Sequence, residues 1–152
     1  AGLRARAIDG DVRNRAALVS AAQGCDALCH SAALVSIWRR DGGEFHQVNL
    51  GGLENALAAA GEAGIARIVY TSSFLARPPA GRTAPLSANL YQQTKVTADA
   101  VARAAQSAGR PIVILYPGVV YGPGVLSEAN LLGRLLADHL AGRVPGLIGS
   151  EE

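Results

Sequence analysis

The chain has 152 residues, 49% of them hydrophobic and 17% charged, which is enough apolar material for one domain with an ordinary core. A formal net charge of +2, with the arginines scattered, is too small to argue for a nucleic-acid partner. No apolar run approaches the roughly 18 residues of a membrane span and no signal peptide is visible, so no membrane contact and a cytoplasmic setting are expected.

In chain order, short apolar runs alternate with helical stretches. Leu3 to Ile8 is the first predicted strand, Asn14 to Ala22 a helix, and Ala27 to His30 the second strand. Gly43 to Ala63 is helical, Ala66 to Thr71 is a strand rich in Val and Ile, and Ala76 to Ser87 is an extended loop of the kind that often binds ligands. Asn89 to Ala108 lacks Gly and Pro and stops at Gly109-Arg110-Pro111, so it is predicted as a helix. Pro111 to Tyr116 is the last strand and Glu128 to Ala141 the last helix. Regular alternation of this kind predicts an α/β fold, a doubly wound parallel sheet with helices on both faces. Cys25 and Cys29 have neither zinc-finger spacing nor a second Cys/His pair, and buried, reduced thiols around the second strand are expected. His30 is expected as packing at a strand end, while Trp38 is left open between covering a core and touching a substrate.

Ligands of an open parallel sheet sit beyond the carboxyl ends of its strands. Those ends are Gly10-Asp11-Val12, His30-Ser31-Ala32-Ala33, Thr71-Ser72-Ser73 and Pro117-Gly118-Val119-Val120-Tyr121-Gly122-Pro123. Small residues, hydroxyls and Gly-opened backbone, with one carboxylate, form a floor suited to a flat cofactor.

Lys95 is the only lysine beside thirteen arginines, and it follows a tyrosine by four residues in Tyr91-Gln-Gln-Thr-Lys95. A chain that uses Arg wherever a positive charge will do has a reason to keep Lys here. On a helix the two share a face. Making the phenol useful near neutrality means lowering its pKa by ~3 units, or ~4 kcal/mol. One charge at ~4 Å supplies about that at an effective dielectric of ~20. Tyr91 is therefore a candidate general acid/base and Lys95 the group that tunes it; the plainer reading is a solvated helix face.

These residues, in this order, resemble the extended short-chain dehydrogenase/reductase family, which comprises NAD(P)-dependent sugar epimerases, dehydratases and ketone reductases. The match runs from Gly10 to about Gly149 and rests on Thr71-Ser72-Ser73, Tyr91-x-x-x-Lys95 and Tyr116-Pro-Gly-Val-Val-Tyr-Gly-Pro123. The text around Gly24 to Leu28, Ile37 to Asp41 and Val69 to Ser73 is similar to dihydroflavonol-reductase-like members. The resemblance implies NAD or NADP as cofactor and a sugar nucleotide or a ketone/alcohol as small-molecule substrate. It assigns Asp11 and Val12 to the adenine, Ala32 and Ala33 to the ribose and pyrophosphate, and Pro117 to Val120, Gly118 included, to the nicotinamide end, with Thr71 also among the cofactor contacts. Ser73 would hydrogen-bond the substrate, Tyr91 would exchange a proton, and Lys95 would also hold the nicotinamide ribose. Asn49 matches the helix asparagine that orders such a site, and a homodimer is implied for the parent protein. Asp11 also has a simpler reading as a carboxylate favoured by a helix dipole.

The sequence departs from the family at Leu90, where Pro is common, and at Leu53, where Thr is usual; only eighteen positions separate Ser73 from Tyr91. The largest departure is that no strand is followed by Gly-x-x-Gly-x-x-Gly and a helix, the turn that cradles the pyrophosphate. Together with the absence of Met, this predicts an internal piece of a longer enzyme, lacking the first two strands and the C-terminal substrate domain and inactive alone. A non-catalytic, dinucleotide-sensing module is the alternative.

Overall fold

A computed structural model describes residues 5–36, 38–120, 122 and 130–144. The chain divides into two compact units, Ala1–Pro117 and Gly118–Glu152. In the first, helix α1 (Arg15–Ala22) precedes strand β1 (Ala27–His30). A long helical stretch follows, made of a short turn α2 (Gly43–Phe45), a π-helical segment (His46–Gly51) and α3 (Gly52–Glu62). Strand β2 (Arg67–Thr71), a 3-10 turn (Phe74–Ala76), helix α4 (Leu90–Ser107) and strand β3 (Ile112–Leu115) complete it. The second unit contains α5 (Leu131–Leu140), capped by Asn130, whose side chain accepts from Gly133 N.

The three strands pair in parallel in the order β1-β2-β3. Cys29 lies opposite Val69, and Val69 opposite Val113. Each parallel step is bridged by a helix, as parallel strands require. Boundaries follow local chemistry. Asn14 Oδ1 accepts from Ala17 N at 3.1 Å and Asn89 Oδ1 from Gln92 N at 2.9 Å, satisfying helix-start donors. Gly109, at φ +90°, ends α4 in a conformation that favours glycine.

The sheet buries one face. Ile68, Tyr70 and Ile112 meet Leu53, Leu57 and Ala60 from α3 and Ala98 and Ala102 from α4. The alanines bring the helices close to the strands, and Gly52 lets α3 approach the turn before α1: a Cβ there would lie 2.9 Å from Val12 Cγ2. The opposite face carries exposed Cys29, Val113 and Leu115.

Three expectations need correction, and one open reading, that of Trp38, is narrowed. Residues 5–10 form no strand and are exposed, because an apolar run gains nothing from extension without a neighbour to complete its ladder. Cys25 and Cys29 are free but exposed, since β1 is an edge strand and Cys29 points to the bare face. Trp38 is 75% exposed and covers no core. The predicted helix from Gly43 is interrupted by the π-helical segment, for which the sequence offers only the Gly51-Gly52 pair at its end. The expected strand beginning at Leu3 and the helix start at Glu128 fall partly outside the described residues.

Candidate active site

The first turns of α4 carry Tyr91, Thr94 and Lys95 to the carboxyl end of β2. Lys95 is only 4% exposed, and its Nζ donates to the carbonyl of Thr71, the last residue of β2, at 3.3 Å. The same ammonium lies 5.8 Å from the ring centroid of Tyr70. Burial pulls Lys95 down to about 8 from the ordinary lysine range. Two residues beyond Thr71, Ser73 is buried in extended conformation, and its Oγ accepts from Leu75 N at 3.2 Å.

Tyr91 is half-buried, and burial raises its phenol pKa while the hydroxyl of Ser73 works in the opposite direction. This corrects the expectation that Lys95 lowers it. The two residues share a helix face, but the ammonium donates to the Thr71 carbonyl. Spacing decides which face a side chain occupies and leaves its terminal atoms free to choose partners.

Asn49, presented by the π-helical segment, is 2% exposed. Its Oδ1 accepts from Leu34 N at 2.7 Å, and its Nδ2 donates to Leu34 O at 3.2 Å and Thr94 Oγ1 at 3.0 Å. Thr94 Oγ1 in turn donates to Tyr91 O at 2.9 Å. One amide thus ties the loop after β1 to the turn that holds Tyr91. Thr94, fully buried, is the middle of that chain of bonds and was not foreseen, although it stands inside the Tyr91–Lys95 motif. Gln92 is a second unforeseen strut: its Nε2 donates to Leu75 O at 3.2 Å and its Oε1 accepts from Ala88 N at 3.1 Å, bracing both ends of the loop before α4.

His30 and Tyr70 stack beneath this region, their ring centroids 6.0 Å apart and planes at 21°. His30 Nε2 and the Tyr70 hydroxyl are buried without a hydrogen-bond partner. Burial, and then the charge of Lys95, pushes His30 down to about 4; burial pushes Tyr70 up to about 12. His30 is the packing residue expected of it, with a neutral ring as the consequence.

The remaining predicted positions lie around the first unit and at the start of the second. Asp11 pairs with Arg13, Oδ2 to Nη2 at 2.5 Å, and hydrogen bonds from Arg13 hold its carboxyl down at about 2. Val12 packs toward Gly52, and its carbonyl accepts from Asn55 Nδ2 at 3.0 Å. Ala32 is exposed and Ala33 half-buried. Pro117 is half-buried, its carbonyl accepting from Phe74 N at 3.1 Å, whereas Gly118 and Val120 open the second unit and are exposed. Tyr121 and Pro123 lie outside the described residues. Among the described residues no group of three or more His, Cys, Asp or Glu could hold a metal ion. No helix there is long and apolar enough to cross a membrane.

Residues 2–151 match the NAD dependent epimerase/dehydratase family. The chain is 35% identical over 152 residues to a putative dihydroflavonol 4-reductase of Synechocystis sp., covering 93% of this chain and 42% of that protein. It is 32% identical to the 2-alkyl-3-oxoalkanoate reductase of Stenotrophomonas maltophilia, covering 90% and 44% respectively. Among solved structures, the dTDP-glucose 4,6-dehydratase of Streptomyces venezuelae, crystallised with NAD bound, superposes with a TM-score of 0.72 at 27% identity, over 88% of this chain and 44% of that one. The chain therefore spans less than half the length of these relatives. A parallel β-α-β-α-β core with Ser73, Tyr91 and Lys95 at one strand end, matched from end to end by that family, makes the chain a member of the NAD dependent epimerase/dehydratase family, the extended short-chain dehydrogenase/reductases.

Proposed function

We propose that the complete protein transfers hydride between NAD or NADP and a carbonyl or alcohol carbon, as a reductase or a sugar-nucleotide epimerase, with Tyr91 as general acid/base. The observation that supports this reading is that Ser73, Tyr91 and Lys95 gather at the carboxyl end of β2, where Lys95 is almost wholly buried yet donates to Thr71 O. An ammonium has three donors, so this bond leaves capacity for a further acceptor such as a ribose hydroxyl.

The fit to a dinucleotide differs between its halves. Lys95, held against the Thr71 carbonyl, and Tyr91 on the same helix face suit the nicotinamide ribose. For the pyrophosphate, the described residues provide no glycine turn between a strand and a helix N-terminus. The dinucleotide, when bound, supplies the hydride. This chain's residues orient the carbonyl through Ser73 and move one proton at the Tyr91 oxygen. The phenol stays protonated and neutral at neutral pH because burial raises its pKa, so Tyr91 holds the proton that it would donate in the reductive direction. The reductase names of two relatives favour a ketone or secondary alcohol; the dehydratase neighbour keeps a sugar nucleotide in view.

The test is reduced-nicotinamide oxidation by the complete protein against a panel of ketones and nucleotide sugars. Tyr91→Phe is expected to lower kcat by roughly 10²- to 10⁴-fold while dinucleotide still binds. Undiminished turnover in that variant removes Tyr91 from the reaction. Dinucleotide binding with no turnover on any substrate, in the unaltered protein, favours the sensing module instead.

A further inference from the structure

Helix α4 continues the Tyr91, Lys95 stripe by four more residues to Asp99 and by another four to Arg103. Asp99 is fully buried. A carboxylate in such a place is costly, and a buried hydroxyl could be satisfied by a neutral residue at less cost. Its contacts explain what it gains. Ser72 Oγ donates to Asp99 Oδ1 at 2.9 Å. Arg103 Nε lies 3.0 Å from Oδ2, an ion pair whose guanidinium is half-exposed and whose alignment is not that of a hydrogen bond.

Ser72 immediately precedes Ser73, and the backbone around both is already fixed to the following strand. Ser72 N donates to Leu115 O at 2.8 Å and Phe74 N to Pro117 O at 3.1 Å. Those bonds set the tail of β2 against β3 and say nothing about its distance from α4. Across that gap, the Ser72–Asp99 bond joins the segment that holds Ser73 to the helix that holds Tyr91, two turns below the phenol.

We infer that Asp99 is a positioning residue: through Ser72 it sets the placement of the Ser73 hydroxyl against the Tyr91 phenol. The inference rests on the acid/base reading of Tyr91 for its catalytic consequence, but the geometry it claims is measurable without turnover. The Ser73 hydroxyl favours the phenolate, so releasing the clamp lets the Tyr91 pKa rise.

The experiment is a titration of Tyr91 by NMR in the complete protein carrying 13C-labelled tyrosine, with the signal assigned by its loss in Tyr91→Phe. Ser72→Ala, Asp99→Ala and Asp99→Asn are compared with the unaltered protein. Ser72→Ala and Asp99→Ala are expected to raise the Tyr91 pKa together, and the double variant no further than either alone. Asp99→Asn, which keeps an acceptor for Ser72, is expected to restore part of the shift. In turnover the clamp variants lose on the order of tenfold in kcat, with KM for the dinucleotide unchanged and the basic limb of the pH profile moved upward. If Asp99→Ala does not fold, Ser72→Ala, which removes a single oxygen, carries the test. An unmoved Tyr91 titration in folded Ser72→Ala overturns the inference, whatever happens to turnover. A shifted titration in a protein that reduces nothing upholds the clamp and discards the proposed activity instead.

Discussion

The two flanks of the sheet are built to different standards. Where β2 meets α4, polar groups sit in deep burial and are tied into a network: Asn49 to Leu34 and Thr94, Lys95 to Thr71, Ser72 to Asp99, with His30 Nε2, the Tyr70 hydroxyl and Asp99 Oδ2 left without a hydrogen-bond partner. Around the segment before α1 and after β1, the predicted cofactor contacts Asp11 and Ala32 face water, while Val12 and Ala33 are half-buried. Asp11 is spent on Arg13, Ala32 and Cys29 are exposed, and Trp38 stands out from the surface. The difference separates two requirements of one site. The proton transfer proposed for Tyr91 would need atoms held to within tenths of an ångström, and the bonds between α4, the π-helical segment and β2 are of the kind that gives such rigidity. Cradling a long cofactor needs a broad, accessible floor, and the strand ends here supply openness.

Substitution of an apolar side chain on each flank gives the largest expected contrast. Leu53, fully buried between α3 and the sheet, is expected to cost about 2–5 kcal/mol as Leu53→Ala, through lost transfer energy and the cavity left behind. Trp38→Ala, despite removing a larger side chain, is expected to stay within about 0.5 kcal/mol because the indole is already in water. Urea denaturation of both variants checks this; equal losses would mean that the β1 flank is packed after all.

A smaller effect separates the buried polar layer from the exposed one by pH. His30 is held neutral, its pKa down at about 4 in the fold against 6.5 when free. Between those values the unfolded chain binds the extra proton, so stability is present above about pH 6.5 and is lost as pH falls toward 4. The loss amounts to about 3 kcal/mol. His30→Leu is expected to flatten the stability curve in that window, and an equal acid loss in the variant would assign it to other groups. Asp11, also shifted, is fully solvated beside Arg13 and is expected to leave no comparable signature.

Legibility in the sequence follows the same division. Helix ends were readable because capping is local chemistry: Asn14, Asn89 and Gly109 each sit where their side chain, or lack of one, is needed. β1 was readable to the residue, and so was the list of side chains at the β2 terminus. What escaped was non-local. Whether residues 5–10 extend depends on a neighbouring strand, whether Cys29 is buried depends on which face is covered, and the phenol of Tyr91 titrates according to its burial rather than its distance in sequence from Lys95. Asp99 was legible in principle, as the next step of the Tyr91, Lys95 spacing, but only the Ser72 contact gives that step a meaning.

The same substitution made on both flanks sharpens the comparison furthest with the smallest effect. Asn14 and Asn89 do identical work: each closes the first turn of a helix by accepting a backbone N–H, at 3.1 and 2.9 Å. Replacing either with Ala is expected to cost about 1 kcal/mol, so stability alone cannot tell them apart. Their consequences differ in what the frayed turn carries. The first turn of α1 carries Arg15 and Ala17, whose loss of order touches no residue of the site. The first turn of α4 carries Tyr91 and begins the Thr94–Asn49 bonds that fix it. Asn89→Ala is therefore expected to lower kcat roughly threefold to tenfold beyond any change in folded fraction, and Asn14→Ala to leave it unchanged. Parallel loss of kcat in the two variants, at matched stability, would mean that global looseness rather than the local turn governs Tyr91, and that the two flanks are one cooperative unit.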